Sequence, residues 1–172
     1  MNIIEASKAY AVQCHQSTNH LYDGKPYEFH LQMVYDNAKN FIHLVPEKEK
    51  DYFLAASWVH DVIEDCRQSY SDVLKATCKE VAELAYALTN EKGKNRKERA
   101  NQKYYSDLKK IPNAVLLKLC DRIANVQYSL AQGSRMFELY AKENNDFIAN
   151  LNDGSCDEAF EFLNALIKTK AD

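Results

Sequence analysis

An all-α fold is predicted by three features of the 172-residue sequence. Four Gly and three Pro are too few for the tight turns of a sandwich, a barrel or a Gly-dependent α/β sheet. Apolar residues recur at three- and four-residue spacing through most of the chain, the pattern of amphipathic helices. Hydrophobic residues make up 46% and charged residues 27%, with a net charge of −3, the balance of an ordinary globular protein. A chain of this length buries a full-sized core, so one domain over 1–172 is expected and stability needs neither disulfides nor a structural metal. Any metal held here would serve chemistry.

The first helix is expected over 3–15, with Ala6, Ala9, Tyr10 and Val12 or Cys14 as its apolar stripe. The polar stretch HQSTNHLYDGKP then turns the chain, with Asp23, Gly24 and Pro26 as its turn residues. From Tyr27 to Leu44 the positions Leu31, Val34, Tyr35, Ala38, Phe41 and Ile42 follow helical spacing, Pro46 marks the stop, and His30 sits in the first turn. Residues Asp51 to Asp65 read as a third helix that is apolar around most of its circumference, hence central and buried. A shorter helix and then VAELAYALT occupy 71–90, with Val81, Leu84, Ala85 and Leu88 facing inward. Over 91–110 the composition turns basic, which reads as a loop or helix edge. After Pro112, AVLLKLCDRIANVQYSL is strongly apolar, with Asp121 in its middle. A helix near 135–151 follows, then a turn at Asn152, Asp153 and Gly154. The last helix is opened by Ser155, with Glu158 placed to complete a capping box.

Several function classes are excluded early. The near-neutral charge creates no global field for nucleic acid or anionic membranes, so neither is an expected partner. No apolar run approaches the ~18 residues of a membrane span. The start, MNIIEASKAYAVQCHQ, carries Glu5 and lacks the basic and apolar regions of a signal peptide, so a cytoplasmic location is expected. Cys14, Cys66, Cys78, Cys120 and Cys156 are odd in number and contain no C-x-x-C pair, which suits reduced thiols. Neither G-x-x-x-x-G-K nor G-x-G-x-x-G occurs, which removes kinase, P-loop and Rossmann readings.

The chemistry concentrates in HDVIED, where His60 and Asp61 precede Glu64 and Asp65 by one helical turn. Ionisable groups on so apolar a helix are costly unless paired, protonated or bound to a metal. Two other helices contribute lone polar groups at core-like positions, His30 and Asp121. Together His30, His60, Asp61 and Asp121 offer a mixed N/O set suited to Mn²⁺, Fe²⁺, Mg²⁺ or Zn²⁺, with positions left for water and a substrate oxygen. A non-catalytic nucleotide-binding module, gripping phosphate through the basic segment, is the reading from a different class.

Four stretches, in this order, resemble the HD metal-dependent phosphohydrolases: DGKPYEFH, WVHDVIED, ALTNEKGK and LLKLCDRIANV. The resemblance is closest to the RelA/SpoT-type hydrolase domain and its stand-alone form, the small alarmone hydrolase of the Mesh type, and covers essentially the whole chain. It implies an all-α HD-domain bundle with a buried metal site, ligated by His30, His60, Asp61 and Asp121 and usually carrying Mn²⁺. It further implies that Glu64 and Asp65 position or deprotonate the attacking water and that Asn125 contacts the nucleotide. The implied reaction is hydrolysis of the 3′-pyrophosphate of guanosine tetra- or pentaphosphate to GDP or GTP and pyrophosphate. Lys92, Lys94, Arg96, Lys97 and Arg99 are candidates to neutralise the departing pyrophosphate.

The chain departs from the family at Asn19 and His20, at Leu31, at Asn90-Glu91 and at Gln127, none of which is a ligand position. These departures leave open another nucleotide, such as a nucleoside monophosphate, a deoxynucleoside triphosphate or the 2′-phosphate of NADPH. His15 and His43 lie outside the matching stretches and are expected at the surface or in packing; Trp58 and the tyrosines are expected as core and pocket wall, although one, such as Tyr104 or Tyr128, could stack on a base.

Overall fold

Helices form nearly all the regular structure in the computed structural model, which describes residues 2–169. Helix α1 (Ile3–Ser17) is capped by Asn2, whose side-chain oxygen accepts the Glu5 amide at 2.9 Å. Its buried face is Ser7, Ala11, Cys14 and His15, and Ala9 is exposed. The expected stripe is therefore rotated, because adjoining faces of this Ala-rich helix differ little in apolarity and tertiary contacts decide between them.

A two-residue hairpin follows, β1 (Leu21–Tyr22) against β2 (Lys25–Pro26). Asp23 and Gly24 join the strands with φ of 49° and 76°, and two successive positive φ angles are what a type I′ turn requires. The hairpin delivers Tyr22 onto His30 and leads into α2 (Glu28–Asn40). That helix ends before the expected Leu44: Ile42–Leu44 tightens into a 3-10 turn and Val45 is extended, as the residue before Pro46 must be.

The expected helix over Asp51–Asp65 is two helices, α3 (Lys50–Val59) and α4 (Val62–Asp65), with His60 and Asp61 at their junction. Asp61 adopts φ −102° and ψ −2°, away from the helical well, while its carbonyl still accepts the Asp65 amide at 2.9 Å. His60 Nδ1 lies 2.8 Å from the Ser57 carbonyl, the acceptor that a continuing helix would offer to the Asp61 amide. Side-chain demands thus break the helix where the chemistry sits.

Beyond a capping box between Ser69 and Asp72, α5 (Tyr70–Ala76) and α6 (Lys79–Leu88) pack together, α6 burying Val81, Leu84, Ala85 and Leu88 as its periodicity requires. The basic segment folds into a closed loop bearing two short helices, α7 (Arg96–Arg99) and α8 (Gln102–Leu108). Gly93 is required in this loop by close approach, since a Cβ there would lie 2.6 Å from Glu98 Cβ and 2.9 Å from the Arg99 nitrogen. Helix α9 (Ala114–Ala131) starts after Asn113 in the left-handed region and buries Leu116, Leu117, Leu119, Cys120 and Ile123 with Asp121 among them. Helices α10 (Arg135–Leu151) and α11 (Asp157–Lys168) complete the described chain.

The expected capping box at α11 does not form. Cys156 holds the cap position, Ser155 Oγ donates to Asp153, and Glu158 pairs instead with the exposed His43 at 2.9 Å.

Helix α3 packs against α1, α2 and α6, and α2 in turn packs against α9, which carries α10 and α11. A continuous apolar cluster links these layers from Ala11 to Leu163. His30, the His60-Asp61 junction and Asp121 come from α2, α3–α4 and α9, so the packing of α2 between the other two creates their meeting point. All five cysteines are unpaired, and among the described residues no helix is long and apolar enough to cross a membrane.

Candidate metal centre and cleft

The imidazoles of His30 and His60 are almost wholly buried, and both turn Nε2 toward carboxylates. His30 Nε2 lies 3.6 Å from Asp61 Oδ2 and 3.4 Å from Asp121 Oδ1, and His60 Nε2 lies 3.0 Å and 3.9 Å from the same two atoms. One ligand atom each from His30, His60 and Asp121 falls within 4.8 Å of the others, a group able to hold a metal ion. Asp61 adjoins both imidazoles and accepts the Tyr27 hydroxyl at 2.6 Å. Three of the four residues implied by the sequence resemblance thus form one group, and Asp61 stands against both of its imidazoles.

The donor set fits a divalent cation. The Ser57 carbonyl can only accept, so His60 Nδ1 carries the proton there and Nε2 of the neutral ring presents a lone pair. That Nε2 is buried without an aligned hydrogen bond and faces two carboxylates, an electron-rich arrangement that a cation satisfies. Two imidazoles with carboxylates suit a borderline or hard metal better than a thiophilic one.

Burial and the neighbouring charges oppose each other at these groups. Burial alone would depress His30, but its hydrogen bonds to Asp121 and Asp61 push it up to about 9, and the charges of Asp61 and Asp121 likewise raise His60 against burial. Burial would raise Asp61 and Asp121, yet the imidazoles, with Lys118 beside Asp121, hold both well below the usual carboxylate range.

A supporting ring fixes these groups. Lys118 Nζ donates to Asp121 Oδ2 at 3.1 Å and Asn125 Nδ2 donates to Asp121 Oδ1 at 2.7 Å. Tyr22 donates its hydroxyl to Asn125 Oδ1 at 2.9 Å, and its ring stacks on His30 with centroids 4.8 Å apart. Glu64 is held from the next segment, its carboxylate accepting the Asn90 amide at 3.2 Å and the Asn90 side chain at 3.1 Å. Asn90 suits this place because its side chain can donate to Glu64, whereas a carboxylate there would repel it. Asp65 faces His20 at 3.8 Å, and partial burial with the charges of Asp61 and Glu64 pushes its carboxyl up to about 7.

A cleft of about 890 Å³ opens from the metal group toward α10. Glu64, Asp65, Asn125, Arg96, Lys97 and Arg99 line it, as the sequence led one to expect. Lys92 and Lys94 do not; the Lys94 amide instead donates to Glu98 and helps close the loop. Neither Tyr104 nor Tyr128 lines the cleft, since Tyr104 donates to the Leu88 carbonyl inside the core and Tyr128 donates to Asp23; Tyr27, Tyr105 and Tyr140 line it instead. Gln127 also lies outside, accepting from Asn37 at 2.9 Å between α2 and α9.

Sequence reasoning also passed over Tyr27, Lys118 and Arg122. Tyr27 and Lys118 lie one helical turn before His30 and Asp121, a usable signal, whereas Arg122, next to Asp121 in sequence, and Tyr140 and Glu143 on α10 had none of that kind.

His15 is not a surface residue: it is buried and stacks on Tyr27 with centroids 4.3 Å apart, beside His20. Burial pulls its pKa down to about 4, with the Asp61 charge opposing. The unfolded imidazole, near 6.5, therefore binds protons first. His15 contributes its full stability above that pH and loses roughly 3 kcal/mol as pH falls to about 4. Urea unfolding at neutral pH and at mild acidity checks this: His15→Phe is expected to lessen the acid loss by that amount, and an unchanged loss would exclude His15 as its source.

Among known proteins, no family model and no curated sequence matches this chain.

Proposed function

We propose that the chain is an HD-type, metal-dependent phosphohydrolase acting on a nucleotide, with the 3′-pyrophosphate of guanosine tetra- or pentaphosphate as its leading substrate. The observation that carries the reading is His60 Nε2, a buried lone-pair donor aimed at Asp61 and Asp121 with His30 alongside. His30, His60, Asp61 and Asp121 would hold a divalent ion, Mn²⁺ by family resemblance, which when bound would supply Lewis-acid activation of water and of a phosphoryl oxygen.

The chain's own groups complete the chemistry. Asp65, with a carboxyl near neutrality, takes a proton from the attacking water and returns one at ordinary pH. Glu64, fixed by Asn90, orients that water from the same short helix. Arg96, Lys97 and Arg99, which line the cleft, offset charge on the leaving pyrophosphate, and Asn125, one turn beyond Asp121, would face the nucleotide. The cleft volume lies within the range of small-ligand sites.

A second reading, turnover of a different nucleotide, is favoured by one feature. Gln127, where the family often places an Arg, is spent on Asn37 and gives the cleft no donor for a guanine nucleotide. The test is incubation of Mn²⁺-loaded protein with guanosine tetraphosphate, NADPH and a panel of nucleoside mono- and triphosphates, with Asp61→Ala as control and products resolved by ion exchange. GDP and pyrophosphate, absent from the control, are expected. Turnover of another nucleotide alone moves the substrate, and turnover of none across several divalent metals overturns the enzyme reading in favour of a binding module.

A further inference from the structure

Glu143 on α10 sits between two arginines from different elements. Arg96, on α7, donates through Nε and Nη2 to the two Glu143 oxygens at 3.0 and 3.1 Å, a forked pair. Arg122, on α9, donates through Nη1 to Glu143 Oε2 at 3.2 Å. All three side chains line the cleft. Two guanidiniums thus share one carboxylate, and Lys97, Arg99 and Lys142 add positive charge to the cleft lining, which Asp146 also joins.

The two arginines are held differently. Arg122 is mostly buried, clamped over the rings of Phe147 at 4.3 Å and Tyr140 at 4.8 Å. A guanidinium carries five N–H groups, yet among the described residues the one side-chain hydrogen bond of Arg122 goes to Glu143. It is a preorganised donor with spare capacity at the cleft wall. Arg96 is about half exposed and belongs to a loop closed upon itself, where the Glu91 amide donates to the Arg99 carbonyl at 3.0 Å.

We infer that Arg96 and Arg122 form an anion subsite for a phosphate or diphosphate group, and that the Glu143 carboxylate is a built-in competitor which such a group displaces. The chemistry favours the exchange. A diphosphate offers more acceptor oxygens and more negative charge than one carboxylate, so it can bond both guanidiniums at once. Glu143 keeps the pair from repelling each other when no ligand is bound, and sets a threshold that singly charged or neutral ligands do not pass. Combined with the metal group, the subsite selects a substrate with anionic groups at two places. The inference rests on the phosphohydrolase reading for the class of ligand, but its test needs no turnover.

The probe is inorganic pyrophosphate, titrated calorimetrically into metal-free protein. Glu143→Gln, which keeps the side chain's size and removes its charge, is expected to bind about tenfold more tightly than wild type. Adding Arg96→Ala to that variant is expected to abolish the gain. In wild type the Nε–H resonances of Arg96 and Arg122 should shift on titration, a measurement that stands even if Glu143→Gln fails to fold. Equal or weaker binding by Glu143→Gln, a gain that survives Arg96→Ala, or immobile arginine resonances at saturation would each overturn the subsite. Arginine shifts without turnover of any nucleotide would sink the phosphohydrolase reading alone, and turnover without arginine shifts would sink the subsite alone.

Discussion

Asp61→Ala is expected to release the metal and abolish hydrolysis together. Its Oδ2 is the atom on which His30, His60 and the Tyr27 hydroxyl converge, so removal takes away a proposed ligand and also leaves a mostly buried hydroxyl without its acceptor. Metal retained after dialysis, measured by elemental analysis, should fall from stoichiometric to background, and activity should fall with it. A stability loss of about 1–3 kcal/mol should accompany this, from the unpaired Tyr27 and the imidazoles that lose their counter-charge. Tyr27→Phe provides the comparison: it removes a group that orients Asp61 without removing a ligand, and losses there of about 10- to 100-fold in metal affinity are expected. If Asp61→Ala held the metal as tightly as wild type, the ligand assignment would be wrong.

Glu64→Ala should separate chemistry from metal binding. The Glu64 carboxylate is held by Asn90 rather than by either histidine, whereas Asp61 lies against both imidazoles. The variant should therefore keep its metal while kcat drops by roughly 10²- to 10⁴-fold, the usual worth of positioned acid–base assistance. Because the side chain is exposed and its hydrogen bonds lie at the surface, little stability should be lost. Full activity in Glu64→Ala would remove it from the reaction. A joint loss of metal and activity would instead make it a ligand.

Much of the site was legible because it is built from local signals. His60 and Asp61 stand out on an apolar stretch, and Asp121 stands out among Leu116, Leu117, Leu119 and Cys120, since a charge in such a place must have a partner. Asn125 was named by the family resemblance, and its bond to Asp121 is the contact that one-turn helical spacing allows. What could not be read were outcomes of competition between similar local choices. The helix over Asp51–Asp65 satisfies periodicity throughout, yet breaks at His60 because the Ser57 carbonyl and the Asp61 contacts to Tyr27 and the imidazoles outweigh one more turn. Ser155 and Glu158 match a capping pattern, yet Asp153 and His43 offered those side chains other partners.

The all-helical class was determined by the sequence alone, as were the positions of most helices and the residue types able to bind a metal. Those properties depend on interactions within four residues along the chain, which periodicity and turn chemistry record directly. Only the tertiary structure decided that α2 lies between α3 and α9, that His30, Asp61 and Asp121 meet there, and that Arg96 and Arg122 close on Glu143 rather than standing in solvent. Such meetings depend on how each helix rotates and on which distant side chain fills the space it leaves. The energies that settle them come from packing and from pairing buried charge between segments far apart in the chain, where local pattern carries no record.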